Sequence, residues 1–258
     1  MSLHARFPGA SFISQAEFMA FRQQMQDRLD ARHVHELAQV SGAAELIMHG
    51  TCAPCLRRAI FTSPTAHWAR ELDGRAIADW AEALACDCAD RLSNRARAVV
   101  HFAQSLVGLA PWTRLLLFGP SHDCHARLAR MVGATIAIEG MPNLLPLAAE
   151  DGAFHLVVAV ECFHRIPPLP AVLVELRRVL APGGSLIFTA PFLTHAAHSV
   201  SYPNLPPKLL RQTAHDFGWD LLDWLREAGF DHAQAHTYWS AELGYLGPFN
   251  MIFHAFCS

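Results

Sequence analysis

The stretch ELRRVLAPGGSLIFTAPF, from Glu175 to Phe192, decides the fold of this chain. Leu173, Leu176 and Leu180 recur at helical spacing and predict a helix over 171–180 with one apolar face. The Pro-Gly-Gly turn that follows stops the helix, and the apolar run 185–189 is typical of a buried strand. A helix, a tight turn and a buried strand in this order indicate one unit of an α/β fold.

Similar apolar runs occur on both sides of this stretch. Short runs at 115–118, 135–138 and 155–160 predict further buried strands, and 251–256 predicts the last one. Helices are predicted between these strands and over 216–229. Strands that alternate with helices predict a doubly wound, mostly parallel sheet of the Rossmann-like type. Pro111 marks the predicted boundary between an N-terminal region, 1–110, and an α/β domain, 111–258.

The N-terminal region reads as a small helical, cysteine-bearing segment. Ser14 can cap a helix over 14–39, in which Phe18, Phe21, Met25 and Leu29 recur on one face. A second helical pattern is predicted to begin near Arg75, and a longer helix is predicted over 94–108.

The sequence resembles class I S-adenosylmethionine-dependent methyltransferases. The helix, Pro-Gly-Gly turn and strand of 175–192 are a signature of that family, and EDGAFHLVV at 150–158 and FGWDLLDWLREAGF at 217–230 resemble two further segments. One branch of the family carries an N-terminal cysteine-rich segment, which WAEALAC at 80–86 and SNRARA at 93–98 resemble. The resemblance covers about 45–256 and implies a Rossmann-like methyltransferase fold.

The resemblance and the sheet pattern together predict a cofactor site. In an open parallel sheet, ligands bind beyond the carboxyl ends of the strands, where the strand order reverses. Glu139 lies 20 residues after Gly119, which suits a carboxylate that holds ribose hydroxyls. We predict that S-adenosylmethionine is bound by five residues near these strand ends: Gly119, Pro120, Ser121, Glu139 and Glu161.

The predicted cofactor site departs from the family in two ways. The glycine-rich turn is reduced to Gly119, followed by His122 and Asp123. Only about two dozen residues separate Gly119 from Leu145, where the family has room for another strand and helix. Glu139 is the ribose ligand only if the strand before it is the second of the sheet, not the third.

Methyl transfer needs positioning first and a base only when the acceptor must lose a proton early. His195 follows the predicted strand that ends near Phe192, and His164 follows the strand over 155–160. These two histidines are the predicted catalytic residues, and His198 and Tyr202 are further candidates. An ordinary hydrogen-bonded loop residue is the alternative for each of them.

Four cysteines form a candidate zinc site. Cys52 and Cys55 have zinc-knuckle spacing, and Cys86 and Cys88 follow about thirty residues later, one residue closer together than usual. The family pattern, counted back from Asn94, expects cysteines at positions 87 and 90, so Asp90 is an alternative ligand. The other alternative is that four reduced thiols pack as small apolar side chains without metal.

The composition limits partners and compartment. The chain has 258 residues, 52% of them hydrophobic and 17% charged, with a net charge of -3, so neither nucleic acid nor an anionic membrane is an expected partner. No long apolar run predicts a membrane helix or a secretory signal. Seven cysteines without an export signal favour a cytoplasmic location.

Two functions are compatible with the sequence. The first is an S-adenosylmethionine-dependent methyltransferase that acts on a small molecule or a peptide and contains structural zinc. The second is a degenerate methyltransferase-like protein with a truncated cofactor site, which serves as a binding or partner subunit or as a non-methylating enzyme. An oligomer or a protein partner is compatible with both. The aromatic-rich segment from Tyr238 to Phe249 is either an acceptor pocket or packing for the last strands.

Overall fold

The computed structural model describes residues 6–40, 45–64, 69–72, 75–78, 80–120, 122–138, 145–202 and 213–258. The chain forms two compact units. The first contains Met1–Ala10, Met19–Gly108 and Thr237–Asn250, and the second contains Ser11–Phe18, Leu109–His236 and Met251–Ser258. The predicted domains 1–110 and 111–258 overlap most of the first and the second unit, respectively. Two segments differ: 11–18 belongs to the second unit and 237–250 to the first, and the boundary near Pro111 lies two residues earlier. No helix in the described ranges is long and apolar enough to cross a membrane.

The secondary structure of the described residues is as follows. The strands are β1 (Ala10–Phe12), β2 (Glu45–Cys52), β3 (Arg57–Pro64), β4 (Ala69–Leu72), β5 (Arg75–Ala78), β6 (Ala85–Cys86), β7 (Arg114–Phe118), β8 (Ala134–Ile138), β9 (Phe154–Val160), β10 (Leu180–Thr189), β11 (Val200–Ser201), β12 (His215–Asp216), β13 (His232–Thr237) and β14 (Met251–Phe256). The helices are α1 (Gln15–Gln24), α2 (Gln26–Val40), α3 (Asn94–Phe102), α4 (Asp123–Ala129), α5 (Leu169–Val179) and α6 (Leu221–Glu227), with a π-helical turn at Ala103–Val107 and a 3₁₀ turn at Phe163–Arg165.

A seven-stranded sheet forms the second unit, in the order β1-β13-β14-β10-β9-β7-β8. β8, β7, β9 and β10 are parallel, and β14 is antiparallel to β10. The fold class predicted from the sequence is therefore confirmed. The chain runs from β7 outward to β8 and then returns to β9 on the other side of β7, so the strand order reverses between β7 and β9.

Burial on both faces explains why the central strands have continuous apolar sequences. The side chains of β9 from Leu156 to Val160 are buried, and so are those of β7 from Leu115 to Phe118. Apolar side chains at every position stabilise a strand that is covered on both faces. Each fully buried Leu or Val contributes about 1.5–3 kcal/mol to the free energy of folding.

The first unit is less helical than the sequence predicted. The helix predicted over 14–39 is present as α1 and α2, and α3 with its π-helical turn agrees with the prediction over 94–108. The segment that begins at Arg75 is a strand, however, so the helix predicted there is wrong. β2 pairs with β3, and β3 pairs with β6. β2 alternates between exposed and buried side chains, the period-two pattern of a half-buried strand, which the sequence reading missed.

Two histidines, the buried His236 and the half-buried His254, lie on neighbouring strands of the second unit. His236 accepts or donates a hydrogen bond of 2.8 Å with Ser11 Oγ through Nδ1, and His254 Nε2 lies 3.0 Å from Ser185 Oγ. Their ring centroids are 6.0 Å apart. Burial, and then the neighbouring His254, lower the pKa of His236 to about 3, and burial lowers the pKa of His254 to about 4. Both side chains are therefore neutral in the folded protein at pH 7.

We expect acid to destabilise the second unit through these two histidines. Their pKa values in the folded state lie below the ordinary value of 6.5, so the unfolded chain binds more protons once the pH falls below 6.5. Stability is then lost as the pH falls toward about 4, by up to roughly 1.4 kcal/mol per pH unit for each histidine. Urea unfolding from pH 7.5 to 4.5 measures this slope. The double variant His236→Gln/His254→Gln should flatten it, whereas His49→Gln, at an exposed position of β2, should leave it unchanged. Equal slopes in all three proteins would exclude the two histidines as the cause.

Candidate cofactor crevice and cysteine cluster

The strand order reverses between β7 and β9, and we call the position beyond the carboxyl ends of these two strands the candidate crevice. Phe118 of β7 pairs with Ala159 of β9, so Gly119 and Glu161 follow the ends of two adjacent parallel strands. In open α/β sheets this is the position at which ligands bind. Two of the five predicted cofactor residues are thus brought to one edge of the sheet.

Cys162 packs directly against Gly119. A Cβ atom on Gly119 would lie 2.8 Å from both Cβ and Sγ of Cys162, and Gly119 has φ +97. Only glycine tolerates this backbone conformation beside such a close neighbour. Cys162 is fully buried, its thiol donates to the carbonyl of Phe118 at 3.7 Å, and burial raises its pKa to about 12. The thiol is therefore neutral at pH 7, and it occupies the side of Gly119 that a side chain would otherwise fill.

Glu161 adopts a conformation that is uncommon for a residue with a side chain. Its φ is +50, and its backbone N–H donates to the carbonyl of Thr189 at 3.0 Å and to Thr189 Oγ1 at 3.3 Å. These bonds hold the half-buried Glu161 at the end of β9, next to the end of β10. Non-glycine residues in this region of φ/ψ space are often found at functional sites.

The other predicted cofactor residues have different outcomes. Pro120 is exposed, and Ser121 and Glu139 lie outside the described residues. β8, which ends just before Glu139 in the sequence, pairs in parallel with β7 from end to end. It is thus the second strand of the sheet, which is the arrangement that the ribose role of Glu139 requires.

The predicted catalytic side chains have different surroundings. His164 is buried, and its Nε2 accepts a hydrogen bond from Arg165 Nε at 3.1 Å. His195 is exposed, and its backbone carbonyl accepts from Gln15 at 3.0 Å. His198 Nδ1 lies 3.6 Å from Asp220, and the hydroxyl of Tyr202 donates to Asp216 at 2.8 Å. Catalytic roles for His164 and His195 stay predictions.

His215, a buried histidine in β12, was not predicted from the sequence as a site residue. His215 Nε2 lies 2.8 Å from the carbonyl of Ile166, so this nitrogen carries the proton, and Nδ1 accepts from the Ser201 hydroxyl at 2.8 Å. Burial lowers the pKa of His215, which keeps it neutral at pH 7. A neutral imidazole with one acceptor nitrogen next to an exposed hydroxyl has the properties of a base. No sequence signal reveals this pair, because the register of β11 and β12 brings the two residues together.

The four cysteines of the first unit form one cluster. The Sγ atoms of Cys52, Cys55, Cys86 and Cys88 all lie within 4.8 Å of one another. Cys52 and Cys55 flank the turn between β2 and β3, in which the N–H of Cys55 donates to the carbonyl of Cys52 at 3.2 Å. Cys86 lies in β6 opposite Phe61 of β3, and this pairing brings the second pair to the first. Tetrahedral zinc with Zn–S bonds of about 2.3 Å needs S–S separations of about 3.8 Å, so four sulfurs within 4.8 Å of one another suit the ion after a small inward movement.

Hydrogen bonds among the four thiols shift their pKa values in opposite directions. Bonds to Cys55 and Cys86 raise the pKa of Cys52, and the bond from Cys52, followed by that from Cys55, lowers the pKa of Cys86. Burial raises the pKa of Cys88 to about 12. Four neighbouring thiols cannot all ionise without a cation, and a divalent metal removes that repulsion because its ligands are thiolates.

Asp90 is not part of the candidate metal group. Among the described residues, that group contains the four cysteines alone. Asp87 points elsewhere, since its carboxylate accepts from the N–H of Ile60 at 3.2 Å and pairs with Arg57 at 3.3 Å. The tight spacing of Cys86 and Cys88 is thus sufficient to bring both sulfurs to the cluster.

Arg97 is a fully buried cation beside this cluster. Its Nη1 donates to the carbonyls of Leu84 and Leu92, the latter at 3.1 Å, and its Nη2 donates to the carbonyl of Gly244 at 2.8 Å. Leu84 and Leu92 bracket the loop that carries Cys86 and Cys88. The guanidinium carbon lies 4.1 Å from the ring centroid of Phe61. Burial lowers the pKa of Arg97, and electrostatic interaction with Tyr245, and then with Cys52 and Cys86, opposes that effect.

The aromatic segment near the end of the chain is divided between two roles. Tyr238, Trp239 and Phe249 line a cavity of about 190 Å³ in the first unit. Tyr245 is instead fully buried, and its hydroxyl donates to the carbonyl of Arg97 at 3.3 Å.

One family model and several solved structures match part of this chain. Residues 125–188 match the family model described as a methyltransferase domain. No curated protein matches the chain significantly. Similar solved structures include a putative methyltransferase in complex with the Haloferax volcanii Trm112 methyltransferase activator (11% identity, 64% of this chain and 91% of that chain, TM-score 0.47) and a possible histamine N-methyltransferase from Thermotoga maritima (16%, 64% and 90%, 0.39). Another is the Burkholderia thailandensis 1,6-didemethyltoxoflavin-N1-methyltransferase with its substrate and S-adenosylhomocysteine bound (16%, 66% and 78%, 0.45).

The strand order defines the second unit as a Rossmann-like α/β domain. Residues 125–188 match the methyltransferase-domain model, so the resemblance predicted from the sequence is confirmed.

Proposed function

We propose that this protein is an S-adenosylmethionine-dependent methyltransferase that acts on a small molecule or a peptide. The observation that carries the proposal is the position of Gly119 and Glu161 at the ends of adjacent parallel strands, where the strand order reverses. The family match over 125–188 supports the same activity.

In this proposal the chain mainly binds and orients. When bound, S-adenosylmethionine supplies an electrophilic methyl group on a sulfonium, so alignment of the acceptor accounts for much of the rate. Gly119 leaves the backbone at the end of β7 free of a side chain, and Glu139 and Glu161 offer carboxylates to the polar groups of the cofactor. His164 or His195 would accept a proton from an acidic acceptor, and His215 is an additional candidate for that step because its Nδ1 faces Ser201 at 2.8 Å.

Calorimetric titration of S-adenosylmethionine and S-adenosylhomocysteine tests the proposal. We expect binding at micromolar concentrations and an affinity about 10- to 100-fold lower in Glu139→Gln or Glu161→Gln, since each substitution removes charge-assisted hydrogen bonds. Glu150→Gln, at an exposed position in the same unit, is the control and should bind normally. The absence of binding heat at high micromolar ligand in the unmodified protein would end the proposal.

A degenerate methyltransferase-like protein is the second candidate function. The contact of Cys162 with Gly119 favours it, because a fully buried side chain occupies space beside the strand end. In the described residues no strand lies beyond β8, where the family has a third strand. Such a protein would bind a partner or a ligand without methyl transfer, and it would fail the calorimetric test while remaining folded.

We further propose that the four cysteines hold a structural zinc ion. Four sulfur ligands close the coordination sphere, as in structural sites, so no position is left for a reacting water. Seven cysteines outside any disulfide, four of them in the proposed thiolate metal site, are consistent with a cytoplasmic location.

Elemental analysis of protein purified without chelator should give about one zinc per chain. The sample should also release the metal when a thiol-specific reagent modifies the cysteines. A well-folded, metal-free sample from cells grown with ample zinc would contradict this proposal.

A further inference from the structure

The first unit contains a cavity that is independent of the crevice and of the cysteine cluster. It lies between one face of α2 and the segments 237–239 and 247–249, and its volume is about 190 Å³. Residues 26, 29, 33 and 36 of α2 line it, which is the spacing of a single helical face. We call it the α2 cavity.

Glu36 holds the two walls of the α2 cavity together. Its Oε1 atom accepts hydrogen bonds from Trp239 Nε1 and from the N–H of Gly247, both at 2.8 Å. Glu36 is 5% exposed, so its carboxylate is committed to these donors. The cavity is therefore built by specific buried contacts.

Two arginines of the α2 cavity are held against aromatic rings. The guanidinium carbon of Arg32 lies 4.9 Å from the centroid of the Trp239 ring, and that of Arg22 lies 5.1 Å from the centroid of Phe249. Stacking restrains a guanidinium without using its N–H groups, which lie in its plane. In the part of the chain that the structure describes, no hydrogen bond connects either guanidinium to a protein acceptor.

Asp30 and Glu36, two carboxylates that line the cavity, each accept hydrogen bonds from other donors. Asp30 Oδ1 accepts from Gln26 Nε2 at 2.8 Å, and Glu36 has the two donors described above. Glu36 interacts electrostatically with Arg32, but burial is the larger effect and lowers the pKa of Arg32. A partly buried, restrained cation with unused donors favours an anionic partner.

We infer that the α2 cavity binds a small apolar molecule, preferably aromatic, that carries a carboxylate or a phosphate group. The anionic group would accept hydrogen bonds from Arg22 and Arg32, whose planar N–H forks match the geometry of both oxyanions. Phe21, Leu29 and Pro248 supply an apolar wall for the rest of the molecule. The inference goes beyond the proposed methyl transfer and does not depend on it.

Calorimetric titration of the full-length protein with benzoate, phenyl phosphate and benzyl alcohol tests the inference. We expect both anions to bind and the neutral alcohol to bind at least tenfold more weakly. Comparison of benzoate with phenyl phosphate shows which oxyanion the site prefers. No binding of either anion at millimolar concentration, or equal binding of the alcohol, would overturn the inference.

Arginine variants locate the binding. Arg22→Gln and Arg32→Gln should each weaken the anions at least tenfold, while Arg28→Gln, at an exposed position of α2 outside the cavity, should bind like the unmodified protein. Thermal melting curves of the three variants show whether they are folded. If folded Arg22→Gln and Arg32→Gln bind normally, the α2 cavity is not the site. Binding of S-adenosylmethionine is measured separately, so failure of one proposal is distinguishable from failure of the other.

Discussion

Substitution of Cys52 by serine is expected to abolish zinc retention and to unfold the β2–β3–β6 sheet of the first unit. Cys52 is fully buried, and its sulfur lies within 4.8 Å of the other three. Structural zinc contributes about 10–16 kcal/mol of apparent binding free energy in small zinc domains, which is comparable to the whole stability of a typical domain. The loss of one thiolate opens the coordination sphere and leaves a poorly matched hydroxyl in a buried position.

Two readouts on Cys52→Ser measure this effect: zinc content per chain, and amide hydrogen exchange of residues 45–64. We expect less than a tenth of the normal zinc content and loss of protection in this segment. Cys257→Ala removes a buried thiol outside the cluster and should retain the metal. Normal protection of residues 45–64 in metal-free Cys52→Ser would mean that the four thiols pack as apolar side chains and that zinc is not structural.

Substitution of Arg97 by methionine is expected to destabilise the first unit by about 3 kcal/mol or more, because each buried carbonyl left without a donor costs about 1–3 kcal/mol. Three backbone carbonyls lose their donor, two of them at the ends of the loop that carries Cys86 and Cys88. A zinc ion with four thiolates carries a charge of -2, and Arg97 is a buried cation beside it, so the substitution should also speed zinc release.

Urea unfolding and the rate of zinc transfer to a chelating dye measure these two consequences. Arg97→Lys keeps the charge but not the planar fork, so we expect it to release zinc more slowly than Arg97→Met. Arg58→Met, at an exposed position of β3, should change stability by less than about 0.5 kcal/mol. A folded Arg97→Met protein with unchanged stability and zinc release would contradict the role assigned to Arg97.

The central sheet was predictable because its signal is local. Continuous apolar runs such as Leu115–Phe118 form strands buried on both faces, and no distant residue changes that reading. The segment that begins at Arg75 was misread because a short strand has too few residues to separate a period of two from a helical period. α6 begins at Leu221, later than predicted, because residues 215–216 pair with β11 instead of extending the helix.

The candidate site was less predictable because its contacts join residues far apart in the sequence. The spacing of Cys52 and Cys55 indicates a metal knuckle, but only the pairing of β3 with β6 brings Cys86 and Cys88 to it. Gly119 was predicted for its freedom to approach a cofactor. Its packing against Cys162, 43 residues later, was not visible, because nothing in either local sequence encodes the contact.

A crystal structure of the protein, from crystals grown in millimolar S-adenosylhomocysteine, tests the central claim most directly. We predict that the adenosyl group lies beyond the carboxyl ends of β7 and β9, with Gly119 and Glu161 in contact with it. Crystals in which the crevice contains no ligand and Cys162 keeps its contact with Gly119 would contradict the claim that this edge of the sheet binds the methyl donor.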